Sequence, residues 1–254
     1  MEIPSVRVLV VGDSGVGKTT LLQALCRHAM GTTMGDESAP AHRWTTGCDI
    51  HVMLHRHRDS YSSESDVYVE FVDVGGHTKY AISRSVFYHE VHGIIFVHDL
   101  SNAKSYEHLR AWISEISNAQ RLKGCVVPNG SDRPDGFASI HNVPKLVLGN
   151  KRDQAPSTSL SKRPNPANDL RIDGLETSAL PLSIDHHQFA AFLGRVIAFS
   201  TQRDNINNYS NAGPEESTDY SASGLAGFFT QGLRQKSSKY GQVAPSEGNN
   251  TGWW

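Results

Sequence analysis

As far as residue 200, short continuous apolar runs alternate with apolar stripes at helical spacing, and that alternation predicts the fold. Residues 6–11 read as a buried strand, and residues 19 to about 30 as a helix with Leu21, Leu22 and Leu25 facing inward. Residues 48–54 and 67–72 read as two strands joined by a polar linker of Arg, Asp and Ser, the spacing of a longish hairpin. A strand over 93–100 follows, then a helix capped by Ser101 and running to about residue 120, with Leu109, Trp112, Ile113 and Ile116 on its inner stripe. Residues 145–149 read as a short buried strand and 171–177 as a weak last one. Residues 185–200 form a strong helical pattern through Phe189, Phe192, Leu193, Val196 and Ile197. Strands alternating with helices imply an α/β fold, a mostly parallel sheet covered on both faces.

Three stretches break the rhythm and are expected as long surface loops. Residues 29–44 are rich in Gly, Thr and small polar types, and residues 121–144 hold the turn signals Pro128-Asn129-Gly130 and Asp132-Arg133-Pro134-Asp135-Gly136. Residues 154–170 carry Pro156, Pro164 and Pro166 and no apolar stripe, so no regular helix is expected there. Beyond about residue 201 the chain turns to Asn, Ser, Gly and Gln and reads as a disordered tail. Within it, Leu225, Phe228, Phe229 and Leu233 stand near helical spacing, either as a short docking helix or as scattered apolar residues of a solvated tail.

Composition changes this picture little. A chain of 254 residues builds one substantial domain, read as 5–201, with 202–254 as the tail. A formal net charge of −2 argues against bulk nucleic-acid binding. Cys26, Cys48 and Cys125 stand far apart, which fits a reducing compartment better than a disulfide framework. The sequence shows no signal-peptide profile, no apolar run of membrane-span length, no myristoylation glycine and no prenylation cysteine. The expected address is therefore cytoplasmic with no direct lipid anchor, a nuclear presence being left open.

The chemistry begins directly after the first strand. Gly12-Asp13-Ser14-Gly15-Val16-Gly17-Lys18-Thr19 is the G-x-x-x-x-G-K-[ST] pattern, and with Thr20 it opens the first helix. Glycines let successive N–H groups face inward, the helix N-terminus adds partial positive charge, and Lys18 supplies a full one. That combination suits a polyphosphate. Farther on, Asn150-Lys151-Arg152-Asp153 follows a strand at the carboxyl end, where α/β sheets bind ligands. The Asp153 carboxylate can accept both N1–H and N2–H₂ of guanine, whereas adenine would leave it desolvated and unpaired. After the last strand comes Glu176-Thr177-Ser178-Ala179, in which Ser178 can brace the loop and the Ala179 N–H can reach the guanine carbonyl, with Leu180 beside it.

Taken in order, GDSGVGKT, Thr45 of Thr45-Thr46-Gly47, Asp73-Val74-Gly75-Gly76, NKRD and ETSA make the chain resemble the Ras-like small GTPases from residue 6 to about 200. Residues 44–48, Phe87-Tyr88 and the 93–100 strand are similar to the Rab-like 3 group and to its plant relatives, the light-insensitive-period GTPases. The resemblance implies six strands, about five helices, GTP/GDP and Mg²⁺. It also implies roles. Lys18 neutralises the β and γ phosphates, and the Thr19 hydroxyl ligates Mg²⁺. Thr45, with Thr46 as the alternative, joins the metal shell when the γ-phosphate is present, and Asp73 holds the metal through water. Gly76 turns its N–H toward the γ-phosphate and orders the second switch.

Departures from the family pattern matter as much. His77 stands where most Ras-like proteins have the glutamine that orients water, although translation-factor GTPases also carry D-x-x-G-H. A neutral imidazole there orients water, an imidazolium stabilises developing charge, and a ring turned to solvent does neither. The first switch carries an insertion over 31–43, and no aromatic residue that would stack on guanine is evident in it. Arg84 reads as part of a charged switch-helix face rather than as an arginine finger. The histidines of His89-Glu90-Val91-His92 are three apart rather than the four of a zinc helix, and read as helix surface. His51, His55, His57, His186 and His187 read as solvated. Two functions stay open: a slow GTPase switch recruiting effectors, assisted by an exchange factor and a GTPase activator, or a nucleotide-stabilised scaffold with negligible turnover. A homodimer is left open, and nucleic acid is not an expected partner.

Overall fold

A parallel strand in the middle of a sheet is covered on both faces, which is why the residues from Val8 to Val11, just before Gly12, are all apolar. In the computed structural model, which describes residues 3–31, 44–58, 64–118, 142–156 and 164–211, they end β1 (Ser5–Val11). The period of two then sorts its side chains. Val6, Val8 and Val10 join one core with α1 (Lys18–Ala29) and the last helix, α5 (His186–Asn211). Leu9 and Val11 join a second core, on the opposite face, with Leu109, Trp112 and Ile116 of α3 (Leu109–Asn118).

The sheet has six strands in the order β2-β3-β1-β4-β5-β6, where β2 is Cys48–Arg58, β3 Glu64–Val74, β4 Gly93–Asp99, β5 Lys145–Asn150 and β6 Gly174–Glu176. β2 and β3 pair antiparallel and every other pair is parallel. The described residues include five α-helices: α1, α2 (Ala103–Glu107), α3, α4 (Pro166–Asp169) and α5. The carboxyl ends of β1, β4 and β5 therefore open on one edge, where Gly12, Leu100 and Lys151 begin their loops.

Several expectations change in detail. The hairpin strands reach into the supposed polar linker, because Arg56 lies opposite Asp66 and Arg58 opposite Glu64, each as an ion pair. Asn102 caps the helix after β4, accepting from the Lys104 N–H, whereas Ser101 turns back and bonds the Asp99 carboxylate through both its N–H and its hydroxyl. That helix is broken at His108 into α2 and α3. The last sheet strand is confined to Gly174–Glu176, with Arg171 in the left-handed region just before it (φ 56°). A small pair follows, β7 (Ser178–Ala179) against β8 (Leu182–Ser183). Within 154–170 one helical turn, α4, does form, capped by Asn165 with Pro166 at its first position, where a missing N–H costs nothing.

Residues 89–92 are not a helix surface. Val91 is buried, and His92 pairs with Arg7 on β1, accepting from its N–H at 2.9 Å and donating its own to the Arg7 carbonyl at 2.8 Å. α5 continues through Asn211 rather than stopping at residue 200. The expected loops over 32–43 and 121–141 and the apolar island at 224–241 lie outside the described residues.

Candidate functional site

Gly12 lets β1 turn sharply into the loop, because at its φ of 147° a Cβ would lie 2.1 Å from the Val97 carbonyl oxygen of the neighbouring strand. The loop wraps around Lys18, which is only 6% exposed and donates to the carbonyls of Gly12 (2.9 Å) and Asp13 (3.0 Å). Burial lowers its pKa to about 8, against the opposing pull of Asp73 and Asp13. This loop forms one end of a cavity of about 390 Å³ lined by Ser14, Gly15, Gly17, Lys18, Thr19 and Thr20. A volume of that size is within the range of small-molecule sites.

The other end is built from β5 and the β7 turn: Asn150, Lys151, Asp153, Ala179 and Leu180. Asn150 donates to the Val16 carbonyl (3.0 Å), so the two ends are tied through the loop backbone. Lys151, in the left-handed region (φ 61°), spans to the Gly15 carbonyl (2.7 Å) and to the Asp99 carboxylate (2.8 Å). Burial raises the Asp99 pKa, but the bonds from Lys151 and Ser101 outweigh it and hold the carboxyl below its ordinary value. Ser178 stays off the cavity wall, and its hydroxyl donates to the Pro181 carbonyl (2.7 Å), bracing the turn that presents Ala179.

The two remaining wall segments are Thr45 and Gly76. Gly76 lies flat against the loop: a Cβ on it would stand 2.2 Å from the Gly12 carbonyl oxygen and 2.4 Å from the Asp13 carbonyl carbon. The Gly75 N–H donates to the Gly47 carbonyl (2.8 Å), which fastens the two segments together.

Comparison with known proteins decides what this arrangement belongs to. Residues 7–131 match the family model described as Ras of Complex, Roc, domain of DAPkinase. The chain is 42% identical to human Rab-like protein 3 over 62% of its own length and 65% of that protein, and 41% identical to Rab-like protein 3 of Xenopus tropicalis over 63% and 67%. It is 39% identical to Small GTPase LIP1 of Arabidopsis thaliana over 59% of its own length and 42% of that protein. The chain belongs to the Rab-like small GTPases. The aligned part spans just under two thirds of the human relative's length.

Membership in the Rab-like small GTPases implies a guanine nucleotide and Mg²⁺ beside its phosphates, and the residues at hand can be tested for fit to that metal. The Thr19 hydroxyl bonds both the Thr45 hydroxyl (2.9 Å) and the Asp73 carboxylate. Asp73 is fully buried and its Oδ1 has no hydrogen-bond partner among the described residues, an orphan that a hard cation would satisfy. Two hydroxyls and a carboxylate are hard oxygen donors, so the set fits Mg²⁺. Among the described residues no three His, Cys, Asp or Glu side chains gather around a point, which sets this oxygen cluster apart from a zinc-type site.

Other residues named from the sequence stand elsewhere. His77 is exposed and off the cavity wall, its Nδ1 accepting from the Lys79 N–H at 3.2 Å. Gly12, Asp13, Val16 and Asp73 also lie behind the wall. Arg84 is not part of a charged face, because it is buried against Trp112 and paired with Glu115. His51, His55 and His57 are half-buried on the inner side of β2 rather than solvated, with His51 Nε2 3.9 Å from Asp73 Oδ2. Sequence reasoning missed Gln23, Gln154 and Trp44 on the cavity wall, and the Asp99 partner of Lys151. Position at the end of β4 is the signal that could have found Asp99, and nothing marked Gln23.

Proposed function

We propose that this Rab-like small GTPase is a GTP/GDP switch with slow, Mg²⁺-dependent hydrolysis, and that its switch segments recruit effector proteins. One observation carries the reading: the phosphate loop, the Asp153 segment, Thr45 and Gly76 all line a single cavity. Lys18 sits under the loop where β and γ phosphates rest, and Asp153 reads the guanine edge while Ala179 offers its N–H to the carbonyl. Thr19, Thr45 and, through water, Asp73 would hold the metal, which would supply charge neutralisation at the phosphates. Gly76 presses on the loop beside the γ-phosphate position, so its contact senses whether that phosphate is there. In hydrolysis, a water oxygen bonds the γ-phosphorus as the bond to the β–γ bridging oxygen breaks, leaving GDP, phosphate and a proton. Because His77 Nδ1 already accepts a backbone N–H, the neutral ring carries its proton on Nε2. The ring stands off the cavity wall, so for its Nε2–H to reach the attacking water or the γ-oxygens the second switch segment would have to move inward.

Support for partner recruitment lies in the second switch segment. Ile82 is 96% exposed and Val86 63%, apolar side chains that a partner protein would cover. A second reading, a nucleotide-held scaffold with negligible turnover, draws on His77 lying off the cavity wall. Chromatography of the nucleotide that co-purifies, followed in time for conversion to GDP, separates the two. For the base, Asp153→Asn is expected to move preference from guanine to xanthine nucleotides, and unchanged GTP affinity would remove the assignment. For hydrolysis, His77→Ala should slow single turnover by more than roughly tenfold. Equal rates would favour the scaffold.

A further inference from the structure

Asp13 is the one loop residue that faces both ways. Its carbonyl accepts from Lys18 on the phosphate side, whereas its carboxylate points to α3, accepting from the Trp112 indole N–H at 2.9 Å and lying 2.6 Å from His108 Nδ1. The opposite use of Trp112 is its ring face, over which the Arg84 guanidinium stacks at 3.8 Å from the centroid. Arg84 comes from the second switch segment, in the short 3₁₀ turn Arg84–Phe87. Its Nε donates to Glu115 at 2.6 Å, a second nitrogen also bonds Glu115, and the Tyr88 hydroxyl donates to the same carboxylate at 2.7 Å. The third nitrogen, Nη1, is buried without a hydrogen-bond partner among the described residues, where the charge rests on Glu115 and the indole face.

We propose that Trp112 is a joint through which the phosphate loop governs the second switch from behind: its edge holds Asp13, its face holds Arg84, and a change at either is felt at the other. This rests on the guanine-switch reading for its purpose, and it adds a route that does not pass through Gly76 and the γ-phosphate. Arg84 is accordingly a positioning residue. It anchors residues 84–88 to α3, so that rearrangement of the switch is confined to residues 77–83, where Ile82 is exposed. Asp13 and Arg84 are not bonded to each other, which makes their coupling a test of the joint.

The experiment is a double-mutant cycle in the full chain with Asp13→Ala and Arg84→Gln, repeated on a Trp112→Phe background, which keeps an aromatic face and removes the N–H. Hydrogen–deuterium exchange of amides 84–88 and 13–19 is read without added nucleotide, and release of a fluorescent GDP analogue is read with it. The expected result is that Asp13→Ala exposes amides 84–88, Arg84→Gln exposes amides 13–19, and the two release-rate effects depart from independence by about threefold or more. That departure should vanish with Trp112→Phe. Independent effects, or amides 84–88 as protected in Asp13→Ala as in the parent, would overturn the joint. If Arg84→Gln does not fold, Arg84→Lys keeps the charge but loses the planar stack, and is expected to give the same cross-effect in weaker form. An unmodified chain that fails to retain the GDP analogue defeats the guanine reading instead, and the exchange arm still decides the coupling.

Discussion

Lys18 is a buried cation whose hydrogen bonds go to the Gly12 and Asp13 carbonyls, and its chemistry follows from that. Burial lowers its pKa to about 8, while an arriving phosphate would favour the charged form, so binding takes up a proton once the solution is more alkaline than that. Nucleotide affinity is expected to be flat below about pH 8 and to weaken above it, which titration calorimetry from pH 7 to 9.5 would measure; Lys18→Ala should lose tight binding at every pH. Gly76 is equally constrained by backbone, not by flexible groups. A methyl there meets the Gly12 carbonyl oxygen at 2.2 Å, so Gly76→Ala must part the second switch from the loop. Overpacking of this kind costs about 1–3 kcal/mol. Thermal unfolding should show that loss, and an unchanged midpoint would mean the segment already stands clear of the loop.

At the scale of elements, the hairpin is where sequence and structure diverge most. Cavity-lining residues such as Lys18 and Asp153 were legible because phosphate and guanine demand particular residue types at adjacent positions. Histidine carries no such signal. His51, His55 and His57 count as polar in a pattern, yet their rings lie half-buried on the inner side of β2 beside the buried Met53, which is why the strand was read too short. Arg84 was misread for a related reason, since its partners Trp112 and Glu115 sit on a helix far along the chain. The His55 pKa is lowered, chiefly by burial and secondarily by His57. The folded state therefore binds fewer protons than the unfolded one just below the ordinary histidine value. Stability should be steady above about pH 6.5 and decline as pH falls through that value toward the lowered one. Melting curves from pH 5 to 8 should show this slope, and His55→Gln should flatten it.

For the whole molecule, the two-sided core follows from two apolar faces on one central strand, and every loop named for nucleotide chemistry leaves the same edge of that sheet. The alternation in the sequence was sufficient for a mostly parallel sheet covered on both faces, whereas the order of the strands is set by long-range pairing that no local pattern encodes. At the far side, β2 is the outermost strand among the described residues, and Ile50, Val52 and Leu54 stand exposed along it. Open strand edges with apolar side chains template pairing between chains. Here Arg56–Asp66 and Arg58–Glu64 occupy the end of the hairpin, exposed ion pairs that water and salt screen and that add little to stability. Their consequence is colloidal. Arg56→Val with Arg58→Val should leave the melting temperature almost unmoved yet make concentrated samples scatter light and grow fibrils within hours, turning the hairpin from a guarded edge into a seed.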